Sequence, residues 1–203
     1  MSAIPKRKLT AAEYLEIERT AEFKSEFFDG EMFAMAGATR AHNAVKENLI
    51  LEIGIRMKGG PCQSFSSDQR VRVDPTGLYT YPDIVIVCGE PEYSVHDNNS
   101  LINPRIIIEV LSVSTQEYDR TTKFRNYMKL PSLQEYILAS QNEPLISRYV
   151  RQADGIWGLR MFHSLEETFS LASIPVEIPM ADLYRNVIFV LPETVREFSV
   201  EVD

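Results

Sequence analysis

The chain has 203 residues, 44% of them hydrophobic and 25% charged, with nine Gly, eleven Pro and two Cys, a composition that excludes a disordered or collagen-like protein and a disulfide-stapled scaffold. A chain of this length buries roughly 70% of the surface its unfolded form exposes, so one domain over residues 1–203 with no structural metal is the expectation. Twenty-nine acidic against 21 basic residues give a net charge of −8. That excludes a protein that holds nucleic acid through a general positive field, but not a nuclease that gathers its basic residues on one face and lets divalent cations offset its carboxylates.

The basic start at Lys6, Arg7 and Lys8 precedes no hydrophobic signal core, and no apolar run reaches the ~20 residues of a membrane span. A cytoplasmic protein is expected, with no membrane and no organic cofactor. Cys62 and Cys88 are too far apart for a CxxC motif, and neither has a second Cys or a His at ligand spacing. Both are expected as free, buried thiols.

Thr10 and Glu13 form a capping box that opens a first helix ending before Phe23. Ser25–Phe28 and Glu31–Met35 flank Asp29-Gly30, a dipeptide that accepts the positive φ of a two-residue hairpin turn. From Thr39 to Lys58 the residues Ala41, Val45, Leu49, Ile53 and Met57 recur every fourth position, a long helix stopped by Gly59-Gly60. Cys62–Ser66, Gln69–Val73, Ile84–Cys88 and Arg105–Leu111 are rich in β-branched residues and bounded by turn residues, so they read as strands. Ser114 and Glu117 suggest a second capping box, for a helix from Thr115 to Leu130 that Pro131 ends. Strands follow at Glu135–Ser140, Ile146–Arg151, Trp157–Phe162 and Thr168–Leu171, then a short helix at Met180–Arg185. Ile84–Cys88 and Ile106–Leu111 are apolar at nearly every position, as strands covered on both faces are. The fold class is therefore α/β (α+β), a central mixed sheet flanked by helices with extra C-terminal antiparallel strands.

Glu109 stands in the middle of the strand Arg105–Leu111, where an ionised carboxylate costs several kcal/mol unless it is paired or binds a cation. Strand alternation puts Ile107, Glu109 and Leu111 on one face. Asp83 follows Tyr81-Pro82 and opens the other apolar strand. Were the two strands neighbours, about 4.8 Å apart, the two carboxylates could chelate one divalent cation through oxygen. Asp119, Lys123 and Tyr127, at i, i+4 and i+8, share a face of the next helix, whose basic residues Arg120, Lys123, Arg125 and Lys129 could meet a phosphodiester. Alternatives stay open for each: a buried salt bridge or protonated core acid for Glu109, a strand-entry turn for Asp83, and a solvated ion pair for Asp119 with Lys123.

The segments Tyr81-Pro-Asp83-Ile-Val-Ile-Val, Asn103 to Ser112 with Glu109, Ser114-Thr115, Asp119-Arg120, Lys123, Tyr127 and Pro131 to Tyr136 resemble the large Uma-type family of bacterial restriction-endonuclease-like proteins, within the PD-(D/E)XK nuclease superfamily. Ser25 to Glu31 and Gly37 to His42 resemble the N-terminal signature of that family, so the likeness spans roughly residues 10 to 160. It implies a restriction-endonuclease-like core and a metal-dependent phosphodiesterase. Asp83 would be the motif aspartate, Glu109 the second acidic residue, and the Val110 carbonyl a further metal ligand. Glu26 matches the N-terminal glutamate of the family, able to add a carboxylate to the site. The simplest motif has lysine two residues beyond the acid, where this chain has Leu111, and Lys123 on the following helix is the expected replacement.

The implied activity is that of a Mg²⁺-dependent DNA endonuclease, with Mn²⁺ as a substitute metal. Mg²⁺ on Asp83 and Glu109 would polarise the phosphodiester and acidify a bound water, and Lys123 would align the water or stabilise the phosphorane. Tyr127 would fix Lys123 or touch phosphate, and Arg120 would meet the substrate. Approach to the cleft, contacting phosphate or metal, is one reading of His42, but with no second ligand nearby a structural or surface role is preferred. A homodimer is expected from the resemblance and from the need to cut both strands of a duplex. The competing reading is a nuclease-fold module that no longer cleaves and binds nucleic acid or a protein partner. No HExxH, nucleophile elbow or phosphate-cradling Gly loop supports an unrelated hydrolase.

Overall fold

The computed structural model describes residues 7–35 and 37–189. Lys6, part of the basic start of the chain, lies outside them. Helix α1 (Ala11–Thr20) begins at the expected capping box: the Glu13 amide donates to Thr10 Oγ1 at 3.2 Å, and the Thr10 amide donates to the Glu13 carboxylate at 2.8 Å. Strands β1 (Ser25–Phe28) and β2 (Glu31–Ala34) form the expected hairpin, with Asp29 at φ 48° and Gly30 at φ 81°. Both values belong to the left-handed region that such a turn requires. Helix α2 (Arg40–Met57) is capped by the Thr39 hydroxyl, which accepts from the His42 amide at 3.1 Å. Its expected stripe is buried at Val45, Leu49, Ile53 and Met57.

Next come β3 (Cys62–Ser66), β4 (Arg70–Val73), β5 (Leu78–Thr80), β6 (Ile84–Cys88), β7 (Tyr93–Ser94), β8 (Asp97–Leu101) and β9 (Ile106–Leu111). Three abutting helical segments follow, Gln116–Tyr118, Asp119–Lys123 and Phe124–Tyr127, the middle one a π turn, labelled together α3. The chain continues through β10 (Glu135–Ser140), β11 (Ile146–Arg151), β12 (Trp157–Phe162), β13 (Thr168–Ser170) and β14 (Glu177–Pro179) to helix α4 (Met180–Leu183). No helix among the described residues is long and apolar enough to cross a membrane.

The architecture is mixed α+β, as expected. The central six-stranded sheet has the order β12-β11-β10-β9-β6-β3, with β9 and β10 parallel and the other neighbours antiparallel. Its two faces carry separate cores. On one, α2 packs Val45, Leu49 and Ile53 against Ile84, Ile86, Ile106, Ile108 and Val110. On the other, Tyr127 and Leu130 from and just after α3 meet Val85, Val87, Ile107, Leu111, Tyr136 and Leu138. Each fully buried side chain of this kind contributes about 1.5–3 kcal/mol, so coverage of both faces explains the unbroken apolar runs.

Beyond the expected elements is a second six-stranded sheet, β2-β1-β5-β4-β8-β7, and a small β13–β14 pair. Strand β5 is three residues long and β8 begins Asp-Asn-Asn, a poor strand former. Pairing with β4 on either side, rather than local propensity, makes both of them strands.

Two expectations are corrected. The Ser114–Glu117 capping box does not form. Thr115 caps α3 without a side-chain bond, while the Ser112 hydroxyl accepts from the Thr115 amide at 3.2 Å and the Ser112 carbonyl from the Gln116 amide at 3.0 Å. Cys62 and Cys88 are not free buried thiols. The antiparallel register of β3 and β6 sets them directly opposite, with Cα atoms 3.9 Å apart, joined as a half-buried disulfide. Closing a loop of this length contributes about 3 kcal/mol in the chain-entropy picture. Reduction, or the C62S substitution, is expected to lower Tm by roughly 6–12 °C for a chain of this size, read by circular dichroism with and without a thiol reductant. An unchanged Tm would show that the bridge does not form in solution.

Candidate active site

Strands β6 and β9 are antiparallel neighbours, with Ile84 opposite Ile108. One step further along the ladder come Asp83 and Glu109, and the Asp83 amide donates to Glu109 Oε2 at 3.3 Å. Asp83 Oδ2 accepts from the Val110 amide at 2.8 Å and lies 3.2 Å from His42 Nε2. His42 reaches it from the first turn of α2 and is buried, the structural rather than the surface half of the expectation. Val110 meets Asp83 through its backbone amide.

On the α3 face of the sheet, Lys123 is buried and its ammonium is shared among three carboxylates. Nζ lies 2.9 Å from Glu109 Oε1, 2.9 Å from Glu26 Oε1 and 3.6 Å from Asp119 Oδ1. The π turn Asp119–Lys123 sets the angle of this part of the helix, a distortion that recurs at functional sites. The Tyr127 hydroxyl, one turn on, donates to Glu109 Oε1 at 3.0 Å and lies 3.3 Å from Thr80 Oγ1, which itself donates to Glu26 Oε1. Glu26 comes from β1 in the second sheet, which β5 joins in pairing Phe27 with Tyr79. The site is thus assembled from both sheets and both long helical segments.

Burial governs the titration of the cluster. It pushes Glu109 up to about 8, against the pull of Lys123 and helped by repulsion from Asp119, Asp83 and Glu26. Asp119 is raised by burial too, with Lys123 opposing. Burial also acts to raise Asp83, but the hydrogen bond and charge of His42, the Val110 amide and the charge of Lys123 outweigh it and hold Asp83 below the ordinary carboxylate range. Burial opposes the charge on Lys123, yet Glu109, Tyr127, Glu26 and Asp119 together raise it well above the usual lysine value. The two motif carboxylates are therefore driven apart, Asp83 downward and Glu109 upward.

Of the residues expected at the site, Glu26, Asp83, Glu109, Lys123, Tyr127 and His42 come together, with the amide of Val110. Arg120 does not join them: it is exposed and makes no ion pair among the described residues. Sequence reasoning placed Asp119 on the right helix face without giving it a role, and it missed Thr80 altogether. A lone threonine in a three-residue buried strand carries no pattern to find.

Three carboxylates around one ammonium, with Asp83 beside Glu109, gather negative charge, and all the donors are hard oxygens, the chemistry that suits Mg²⁺. Asp83 Oδ1 receives no hydrogen bond among the described residues, and Glu109 Oε2 receives only the long one from Asp83. Among the described residues no three His, Cys, Asp or Glu side chains form a ready coordination sphere. The pair Asp83 and Glu109 is the fitting one, because Mg²⁺ takes one or two carboxylates and keeps several waters.

Comparison with known proteins places these residues in context. The family Uma2, described as "Putative restriction endonuclease", matches residues 11–181. Two proteins of Synechocystis sp., both called uncharacterized, are similar over most of their length. Protein slr1290 is 32% identical over 185 residues, covering 91% of this chain and 96% of its own, and sll1609 is 36% identical over 168 residues, covering 82% and 95%. A crystal structure from Anabaena variabilis, described as "a putative nuclease belonging to DUF820", superposes with a TM-score of 0.71 at 20% identity, over 87% of this chain and 97% of that one. That likeness establishes a shared fold, mixed α+β as the sequence led one to expect. With the family match covering most of its length, the chain belongs to the Uma2 family.

Proposed function

We propose that this protein is a divalent-cation-dependent endodeoxyribonuclease that hydrolyses phosphodiester bonds in DNA, with Mg²⁺ as its metal and Mn²⁺ as a substitute. The observation that carries this reading is the placement of Asp83, at the entry to β6, beside Glu109 on the neighbouring strand β9, with Lys123 held against Glu109. Asp83 and Glu109 would hold the cation. When bound there, Mg²⁺ supplies the Lewis acid that polarises a non-bridging phosphate oxygen and acidifies a coordinated water.

The chain's own residues do the rest. His42 and the Val110 amide keep Asp83 ionised and fix its carboxylate. Glu26 holds Lys123 at 2.9 Å beside Glu109, where the ammonium could orient water or offset charge developing on phosphorus. Tyr127 fixes Glu109 Oε1 and leaves Oε2 for the cation. Cutting both strands of a duplex suits a homodimer, and a cytoplasmic location suits an enzyme acting on DNA.

Supercoiled plasmid incubated with the protein in Mg²⁺, Mn²⁺ or EDTA is expected to be cut only with a divalent cation. Asp83→Ala, prepared identically, is expected to leave it intact. Lys123→Ala is expected to keep the cation and lose about 10²–10³-fold in turnover. Equal cutting by wild type and Asp83→Ala would sink the assignment. A folded, cation-binding wild type that leaves every substrate uncut would point instead to a noncleaving DNA- or protein-binding module.

Glu109 adds a pH dependence. Its folded value near 8 exceeds its unfolded value near 4.5, so its contribution to metal-free stability is full below ~4.5 and disappears as pH rises through about 8. Metal-free protein is expected to melt lower at pH 8.5 than at pH 5.5, with most of the difference absent in Glu109→Gln. Cation binding needs the ionised carboxylate, so Mg²⁺ affinity is expected to rise by up to about tenfold per pH unit from ~6 to ~8 and then level off. Isothermal titration calorimetry reads it, and a flat profile would remove Glu109 from the ligand set.

A further inference from the structure

His42 presents an unusual orientation problem. Its Nε2 meets Asp83, but its Nδ1 is buried and has no hydrogen-bond partner among the described residues. An imidazole that supports a metal ligand or other functional carboxylate is ordinarily steered by a bond to its other nitrogen. Here that second handle is missing, so the ring can be aimed only by the backbone that carries it.

That backbone is the first turn of α2, and it is anchored from a distance of about a hundred residues. The His42 amide donates to Thr39 Oγ1 at 3.1 Å, and the Thr39 hydroxyl donates to Gln141 Oε1. Gln141, buried just past the end of β10, donates through Nε2 to the Leu111 carbonyl at 2.8 Å. Leu111 follows Val110, whose amide holds Asp83. The bonds close a ring: Leu111, Gln141, Thr39, His42, Asp83, Val110 and back to Leu111 through the chain. Every hydrogen in it has one direction, because the Leu111 carbonyl can only accept and the His42 amide can only donate, which fixes the Gln141 amide between them.

We propose that Gln141 is a positioning residue of this site, which sets His42 against Asp83 by tying the N-terminus of α2 to the end of β9 through Thr39. Its amide is needed in both capacities, as donor to one element and acceptor from the other, so a carboxylate at 141 would fail where glutamine succeeds. The inference rests on the reading of Asp83 as a cation ligand only for its functional consequence. The geometric claim stands apart from it.

Two measurements test the two parts. The chain has three histidines, His42, His96 and His163, so ring nitrogen resonances of ¹⁵N-labelled, metal-free protein are readily assigned. Gln141→Leu and Thr39→Val are expected to move the His42 Nε2 resonance and leave His96 and His163 in place, and Thr39→Ser is expected to restore the wild-type position. Unmoved His42 signals in both variants, with each still folded by circular dichroism, would overturn the proposal.

Calorimetric Mn²⁺ binding supplies the second part. Gln141→Leu and His42→Ala are each expected to weaken binding about 10-fold, within the range for groups that support a ligand. The double variant is expected to be no weaker than His42→Ala alone, because both act through one contact. Additive losses would mean that Gln141 acts through the general fold, and would overturn the positioning role. A wild type that binds no divalent cation would instead overturn the nuclease reading, while the resonance shifts would still decide the role of Gln141.

Discussion

The site depends on one buried ammonium. Glu26, Glu109 and Asp119 are all withdrawn from water within reach of Lys123, and carboxylates so placed repel one another strongly in a low dielectric. Without Lys123 their repulsion would have to be relieved by protons, by water or by a bound cation. Burial of a charged lysine is itself costly, so the two sides of the cluster are mutually required. The high value of Lys123 and the raised value of Glu109 are two expressions of that one constraint.

A division of labour between the two motif carboxylates follows. Asp83 sits near the surface of the cluster, where an amide and an imidazole favour its charge. Glu109 sits deeper, where burial resists its charge. A cation bound as proposed would meet one carboxylate already biased toward its charge and one biased toward its proton.

Much of this was legible in the sequence, for a specific reason. Glu109 interrupts a strand that is otherwise apolar at every position, and a rule broken inside a well-patterned element marks function or strain. The β-branched runs of β6 and β9 and the four-residue stripe of α2 are periodic over enough residues to be read locally. What could not be read depends on register between segments far apart. The Cys62–Cys88 bridge exists because β3 pairs with β6 in one alignment and no other, and a shift of one residue would separate the thiols. Strand β5 is too short for a period, the π turn has no sequence signature, and the Gln141 to Thr39 bond joins residues that nothing local connects.

Because Glu26 belongs to the second sheet and Glu109 to the central one, no contiguous stretch of the chain contains the site. Helix α3, which brings Lys123, is held between them only when both sheets are in place. Closing loops between such distant segments slows folding in general, and the ion cluster needs segments of both sheets before it can assemble. A chain still emerging during synthesis, or one partly unfolded, has its carboxylates and lysine dispersed in water. Whatever chemistry this arrangement carries is therefore confined to the finished fold.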